Sequence, residues 1–246
     1  MLVATDQLRK AVCELYTTFG GFQRPKVLAF CTHCHSENEF RRILTISLHE
    51  LAPEDLRGYL SSALTTVGDA DDFRYFMPRA LELLAESLDP DDADSILGKL
   101  QYVGWSSWPA RQQLAITAYL DAVWRAVLAT RTEPSYFYSS LGEQWLSAFA
   151  SAQFSLGRFL QVWEKESSSA SSSHLVHFVL SCSRDLLSGV SRWELSPSAW
   201  SEVVMWLKSE PVAALLRGLP KDGPDAQLAN ESEEDLLIIE KSSPVV

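Results

Sequence analysis

Residues 109–130 read PARQQLAITAYLDAVWRAVLAT, the longest stretch of helical periodicity in the chain. Proline is favoured in the first turn of a helix, and Pro109 opens this stretch. Apolar side chains then recur at intervals of three and four residues, which places them on one helical face. The stretch therefore predicts a long amphipathic helix with a buried stripe of Leu114, Ala118, Leu120, Val123, Trp124 and Val127.

The same periodicity continues on both sides of this stretch. It predicts about ten helices joined by short polar turns, and alternating strand patterns are almost absent. The sequence therefore predicts an all-α protein with one helical domain over residues 1–218, either an irregular orthogonal bundle or a HEAT-like α-solenoid. Four tryptophans fall on or near the helical stripes and are expected in the core: Trp105, Trp108, Trp124 and Trp145.

Two polar segments interrupt or follow the predicted helices. Residues 167–173 are almost all serine and predict an internal loop. Residues 219–246 predict an acidic, flexible C-terminal tail. Within that tail, the four aliphatic residues 236–239 either add a strand to a partner's sheet or pack back onto the helical domain. Packing back is favoured, because four exposed aliphatic side chains promote aggregation.

The 246-residue chain is acidic, with 21 Lys and Arg against 32 Asp and Glu. Its 46% of hydrophobic and 22% of charged residues are typical of a globular protein and exclude a disordered or collagenous one. A net charge of −11 repels phosphate groups, so we expect no direct nucleic-acid partner and no membrane partner. Because we find neither a membrane-spanning run nor a secretory signal, we expect a cytoplasmic protein.

Cys31-x-x-Cys34 is the most specific chemical motif in the sequence. Two thiolates at this spacing supply half of a tetrahedral zinc site. The other ligands would have to come from His35, His49, Cys182, or His174 with His177, none at the spacing of a standard zinc finger. An apolar run followed by C-x-x-C and a helix is also the redox arrangement of thioredoxin, although the strands of that fold are absent. In the remaining interpretation both cysteines are reduced, partly buried apolar residues.

Acidic side chains cluster at two predicted helix starts. The first cluster consists of Asp69, Asp71 and Asp72, and the second of Asp91, Asp92 and Asp94. A carboxylate at a helix start is stabilised by the helix dipole, so capping explains these residues more simply than acid–base or metal catalysis does. We find no G-x-S-x-G, H-E-x-x-H, P-loop or G-x-G-x-x-G motif. The sequence therefore predicts that the protein is not an enzyme.

A longer pattern runs through residues 22–84. It comprises RP at 24–25, CTHC at 31–34, DL at 55–56 with Tyr59, ALTT at 63–66, GD at 68–69, DFRYFMPR at 72–79 and LELL at 81–84. This pattern resembles an uncharacterised bacterial all-α family whose members are often small cytosolic proteins encoded near secreted polymorphic toxins. The resemblance covers about a quarter of the chain. It implies an immunity protein that binds and neutralises a cognate toxin.

The charge of the chain is compatible with that implication. Toxins that act on nucleic acid tend to carry basic clefts, and an acidic helical protein would dock there with steered association and block the active site. The two acidic clusters are then the first candidates for the contact surface. Residues 72–79 also suit an internal ion pair and core packing. The alternative function is that of a zinc-binding or redox-active C-x-x-C regulatory protein.

Overall fold

The computed structural model describes residues 5–36, 38–131, 140–166, 168–188, 197–219 and 226–241. These residues form twelve α-helices and no strand, which confirms the predicted all-α class. None of the described helices is both long and apolar enough to cross a membrane. In chain order the helices are α1 (Asp6–Phe19), α2 (Arg41–Thr45), α3 (Pro53–Ser62), α4 (Ala70–Ser87), α5 (Pro90–Tyr102), α6 (Ala110–Ala129), α7 (Leu141–Ser151), α8 (Gly157–Glu164), α9 (Ser169–Ser188), α10 (Pro197–Leu207), α11 (Glu210–Arg217) and α12 (Ala226–Lys241).

The chain divides into two compact units, which we call unit 1 (Met1–Val123) and unit 2 (Trp124–Val246). The division falls within α6. Each unit buries its own set of large side chains. Those of unit 1 include Leu8, Leu15, Tyr59, Phe73, Phe76 and Tyr119, and those of unit 2 include Trp124, Trp145, Phe149, Phe159, Trp163 and Phe178.

Helix α4 is the central helix of unit 1, and α1, α3 and α5 all pack against it. Its apolar face is buried over more than three turns, from Phe73 to Ala85. Sequence periodicity predicts that Pro78 either kinks this helix or marks a late start. The structure excludes the late start, because α4 begins at Ala70 and Pro78 lies inside it.

The buried stripe of α6 differs in part from the predicted one. Leu120, Val123, Trp124 and Val127 are buried as predicted, whereas Leu114 is 68% exposed and Ala118 is also exposed. The prediction is wrong at these two positions because α6 is apolar on more than one side. Its sequence periodicity therefore does not single out one face of the helix as the buried one. Its first turns instead bury Ala115, Ile116 and Tyr119.

An aromatic cluster forms the core of unit 2. The rings of Phe149 and Phe159 stack with centroids 3.9 Å apart, and Trp124 meets Phe149 and Trp163 edge-on at 5.7 Å and 5.5 Å. Edge-on and offset ring pairs add attraction beyond the burial of their area. The indole N–H of Trp124 donates to the Phe159 carbonyl at 2.9 Å, so this buried donor is satisfied. The predicted burial of Trp108, Trp124 and Trp145 is confirmed, while Trp105 is only half-buried.

Two segments predicted to lack structure are helical. Residues 169–173 of the serine-rich segment form the first turns of α9, with Ala170, Ser171 and Ser173 buried, so the prediction of a loop is wrong there. Residues 226–241 of the predicted flexible tail form α12, which packs against α9. Packing back of the aliphatic run is confirmed for Leu236 and Ile239, which are buried. Both predictions relied on local composition, which records how many residues are polar but not on which face of a helix they would lie.

Candidate functional site

Cys31 and Cys34 lie in an exposed turn of unit 1. The backbone N–H groups of Cys34 and His35 both donate to the Cys31 carbonyl, each at 3.0 Å, which closes the turn. Both side chains are exposed, so the interpretation of these cysteines as partly buried apolar residues is wrong. Two thiols accessible to solvent in one short turn are available for chemistry with an external molecule.

The segment 63–68 holds this turn in place. The Cys31 N–H donates to the Thr66 carbonyl at 2.9 Å, and the Gly68 N–H donates to the Ala29 carbonyl at 2.7 Å. Gly68 has φ +66°, and a Cβ there would lie 3.0 Å from the Asp72 carboxylate. Glycine is therefore required both by the left-handed backbone and by the close approach of α4.

His35 ties the same turn to two neighbours. Its Nδ1 lies 3.1 Å from the Glu39 carboxylate, and its Nε2 lies 3.0 Å from the Thr66 hydroxyl. Both ring nitrogens are therefore engaged, which makes His35 a positioning residue for the turn. The sequence places Glu39 in a capping box with Ser36, but α2 begins only at Arg41 and Glu39 binds His35 instead.

The two thiols have different electrostatic surroundings. The backbone N–H groups of His33 and Cys34, together with the Cys34 thiol, stabilise the Cys31 thiolate and lower the pKa of Cys31. The pKa of Cys34 is raised, because its thiol donates to the Cys31 sulfur and the Cys31 charge opposes a second thiolate. Cys31 is therefore the thiol that ionises first, and it is the more nucleophilic candidate at neutral pH.

Of the proposed additional zinc ligands, His35 lies in this turn, but both of its ring nitrogens contact Glu39 or Thr66. Within the described residues no three side chains of His, Cys, Asp or Glu are grouped so that they could hold a metal ion. His49 stacks on Tyr16 with ring centroids 4.1 Å apart. His174 is buried in unit 2, where its Nε2 contacts the Thr130 carbonyl at 2.8 Å, and burial lowers its pKa.

The first acidic cluster, Asp69, Asp71 and Asp72, lies at the start of α4. Asp69 caps the helix, and its Oδ1 accepts from the N–H groups of Asp71 and Asp72 at 2.9 Å and 3.0 Å. The Asp72 carboxylate accepts from the Asp69 N–H in return, at 3.0 Å. The predicted capping role is confirmed for these two residues. Asp71 is exposed and forms an ion pair with Arg74 at 2.7 Å.

The second acidic cluster, Asp91, Asp92 and Asp94, lies in the first turns of α5. All three are exposed, and the capping residue is Asp89, which accepts from the N–H groups of Asp91 and Asp92. Burial, followed by repulsion from Asp89, raises the pKa of Asp92. Asp92 also lines a cleft of about 210 Å³ between α3, α4 and α5.

The two acidic clusters lie at opposite ends of α4. The first comprises the N-cap and first turn of α4, the second follows Ser87 in α5, and the 18 residues of α4 span about 27 Å. The first cluster is adjacent to the cysteine turn, since Gly68 contacts both Asp72 and the backbone of Ala29. The structure thus joins Cys31, Cys34 and the first cluster in one region and separates them from the second cluster.

Polar anchors along α4 are the feature that sequence reasoning missed. Arg24 donates to the Tyr75 hydroxyl at 3.1 Å, and Arg74 lies over the Trp108 ring at 4.3 Å from its centre. Arg79 donates to the Leu51 carbonyl at 2.8 Å and to the Glu82 carboxylate. Only the types and spacing of residues 72–79 hinted at such contacts. These residues have structural roles, in agreement with the internal ion pair and core packing considered above.

Comparison with models of protein families, with curated proteins and with solved structures found no match for this chain. No relative therefore supplies an activity, a ligand or a partner for these residues.

Proposed function

We propose that this chain is a non-enzymatic, cytoplasmic immunity protein that neutralises a cognate bacterial toxin by binding it and covering its active site. The observation that carries the proposal is the charge of residues 69–94, which contain nine carboxylates and only two basic side chains. The resemblance of residues 22–84 to a family encoded near toxin genes supports the same proposal. The expected partner surface is a basic cleft.

The two arginines of this segment do not neutralise its outer surface. Arg79 is directed inward to the Leu51 carbonyl and Glu82. Arg74 is occupied by Asp71 and by the rings of Phe22 and Trp108. Five further carboxylates of the segment are exposed without a basic neighbour inside the segment: Asp69, Asp89, Asp91, Asp92 and Asp94. Such a surface accelerates encounter with a basic partner.

One partner can reach both acidic clusters at once. The clusters lie at the two ends of α4, whose 18 residues span about 27 Å. A standard interface buries about 800 Å² on each partner, which corresponds to a patch about 32 Å across. A toxin whose cleft carries basic groups at two points separated by about the length of α4 would therefore contact the exposed carboxylates at both ends of this helix.

The proposal is tested by co-expression with the product of the adjacent gene. Growth rescue together with co-purification as a one-to-one complex is the expected result. If both proteins are stable and the second is toxic, the absence of rescue and of a complex would overturn the immunity function. Any turnover of the partner by this chain would overturn its non-enzymatic nature.

Charge-reversal variants test whether the two acidic clusters themselves contact the toxin or whether only the net negative charge of the chain matters. The variants Asp71→Lys and Asp91→Lys alter one exposed carboxylate in each cluster without removing a capping residue. We expect each to lower the association rate with the toxin about tenfold at low salt. Asp6→Lys is the matched control, because Asp6 is also exposed in a first helical turn and also pairs with the arginine three residues later. Equal effects of all three variants would refute a role of the α4–α5 surface.

The alternative function, a zinc-binding or redox-active C-x-x-C regulatory protein, is favoured by a separate observation. Cys31 and Cys34 are both exposed and lie in one short turn, in which the Cys34 N–H donates to the Cys31 carbonyl at 3.0 Å. This second candidate needs no toxin and is tested on the purified chain alone.

A further inference from the structure

We infer that Cys31 and Cys34 are a redox-active pair. They form a reversible disulfide with each other by thiol–disulfide exchange with an external disulfide substrate, which is reduced. This inference gives the second candidate function a definite chemistry. It is independent of the immunity proposal, since neither the acidic clusters nor a toxin takes part in it. A failure to neutralise a toxin would leave it intact, and a failure of disulfide exchange would leave the immunity proposal intact.

The geometry of the turn suits a disulfide. The Cys34 N–H donates to the Cys31 carbonyl at 3.0 Å, the bond of a four-residue turn whose end Cα atoms lie within about 7 Å. A disulfide usually spans a Cα–Cα distance of about 4.4 to 6.8 Å. The Cys34 thiol is also among the groups that lower the pKa of the Cys31 thiol, as expected for two neighbouring side chains of one turn. The Cα separation of such a turn therefore overlaps the range that a disulfide between Cys31 and Cys34 requires.

The supports of the turn leave the thiols themselves unused. Cys31 is held through its backbone N–H by the Thr66 carbonyl, and His35 is held by Glu39 and the Thr66 hydroxyl. No described support of the turn depends on a Cys31 or Cys34 thiol bonding to another element. The turn is thus fixed in both redox states, and oxidation changes the two sulfurs while α4 and its core stay in place.

The reaction proceeds in two exchange steps. The Cys31 thiolate attacks one sulfur of the substrate disulfide, the substrate S–S bond breaks, and its other sulfur leaves as a thiolate that takes up a proton. The Cys34 thiol then loses its proton and attacks the Cys31 sulfur. The mixed disulfide breaks, and the second substrate sulfur leaves and is protonated. The chain loses two electrons and two protons, and the substrate gains both to become two thiols.

The chain provides an internal reference for this chemistry. Cys13 is exposed on α1, as Cys31 and Cys34 are in their turn, but it lies in a regular helix. Cys182 is buried in unit 2. A reagent that reaches every exposed thiol equally would modify Cys13 together with Cys31, whereas the proposed pair makes Cys31 the faster of the two.

The experiment incubates the full chain with oxidised glutathione, quenches with acid, alkylates the remaining thiols and locates each modification by mass spectrometry. The wild-type chain and the control Cys13→Ser are expected to form the disulfide between Cys31 and Cys34. It is detected as the loss of two hydrogens from the peptide that contains both residues. In Cys34→Ser, Cys31 is expected to keep a glutathionyl group, because the thiol that would displace it is absent. A second arm uses insulin as a protein disulfide, so that reduction of insulin by the wild type but not by Cys34→Ser identifies protein disulfides as substrates.

Two results would overturn the inference. The first is glutathione addition at equal rates to Cys13 and Cys31 with no internal disulfide at any buffer potential between about −120 and −320 mV. The second is stoichiometric binding of added Zn²⁺ that keeps both thiols reduced in oxidised glutathione, which would identify a metal site instead. Far-UV circular dichroism of each variant confirms that the helices are retained.

Discussion

The cores of unit 1 and unit 2 differ in the share of aromatic ring contacts and of contacts made by charged side chains. In unit 2, Trp124, Phe149 and Phe159 contact one another through ring faces and edges. In unit 1, α4 is held in addition by directed polar contacts, among them those of Arg24 with Tyr75 and of Arg79 with the Leu51 carbonyl. Ring packing depends on shape and tolerates small shifts, whereas the polar anchors require particular atoms at particular places.

The difference explains why the candidate sites of this chain lie in unit 1. The inward-facing arginines of α4 position its ends and leave most carboxylates of residues 69–94 at the surface. The segment before α4 fixes the cysteine turn through backbone hydrogen bonds. In unit 2 the aromatic cluster stabilises a core, and its buried indole groups donate to backbone carbonyls, as Trp124 does to Phe159.

The largest expected effect is on the aromatic core. Phe149 is fully buried, stacks on Phe159 and touches Trp124 and Trp145 at their edges. Phe149→Ala should lower the free energy of unfolding by about 3–5 kcal/mol, measured by urea denaturation. Phe149→Leu, which keeps most of the volume, should cost less than half as much. A similar small cost for both variants would show that ring contacts do not dominate this unit.

A smaller effect is expected at the polar anchors of unit 1. Arg79→Ala removes the donor from the Leu51 carbonyl and from Glu82, which still accepts from the Tyr16 hydroxyl at 2.6 Å. We expect a loss of about 2–3 kcal/mol in urea denaturation. Arg79→Lys should restore only part of it, because an ammonium group does not reproduce the planar fork.

The exposed pair of Arg9 and Asp6 supplies the control for this prediction. Arg9→Ala should cost less than about 0.5 kcal/mol, since surface ion pairs contribute little. If Arg79→Ala costs no more than Arg9→Ala, the polar anchors do not stabilise unit 1, and the contrast between the units fails.

The smallest expected effect concerns pH. Burial lowers the pKa of His174, so the folded state favours its neutral form. The stabilisation is fully present above the unfolded pKa of 6.5 and is lost as the pH falls through the lowered folded pKa. Stability should therefore decrease on acidification with a slope of up to about 1.4 kcal/mol per pH unit from this group.

Thermal or urea unfolding of His174→Gln between pH 7.5 and 5 measures that slope. The variant should lose less stability on acidification than the wild type, whatever its stability at pH 7.5. His33→Gln is the control and should keep the wild-type slope, because it leaves His174 in place. An unchanged slope in His174→Gln would mean that protonation of this buried ring does not oppose folding.

Local signals in the sequence predicted the fold class and the starts of α4 and α5. Asp69 and Asp89 cap α4 and α5, and capping involves residues only two or three positions away. The contacts of α4 were not predictable in this way, since Arg24 and Tyr75 are 51 positions apart. The choice of Leu114 as a buried residue failed for a related reason, because the neighbours that cover a helical face belong to other elements.

The candidate site was predictable in part. The spacing of Cys31 and Cys34 identified the motif, and the acidic clusters were evident from composition. The proximity of the cysteine turn to Asp69 and Asp72 was not, because it depends on backbone hydrogen bonds between Ala29 or Cys31 and the segment 63–68. Because nearly every residue type has the same backbone N–H group, the sequence does not show where such hydrogen bonds form.

The packing of α12 on α9 has a consequence for synthesis of the protein. At about 5–20 residues per second, roughly 3 to 11 s pass between completion of Ser188 and of Lys241. During that time the face of α9 that α12 will cover is made but has no neighbour, whereas the helices around α4 are already available to one another. The newly made α9 is therefore the segment of the nascent chain where a chaperone or a misfolded pairing would compete with folding.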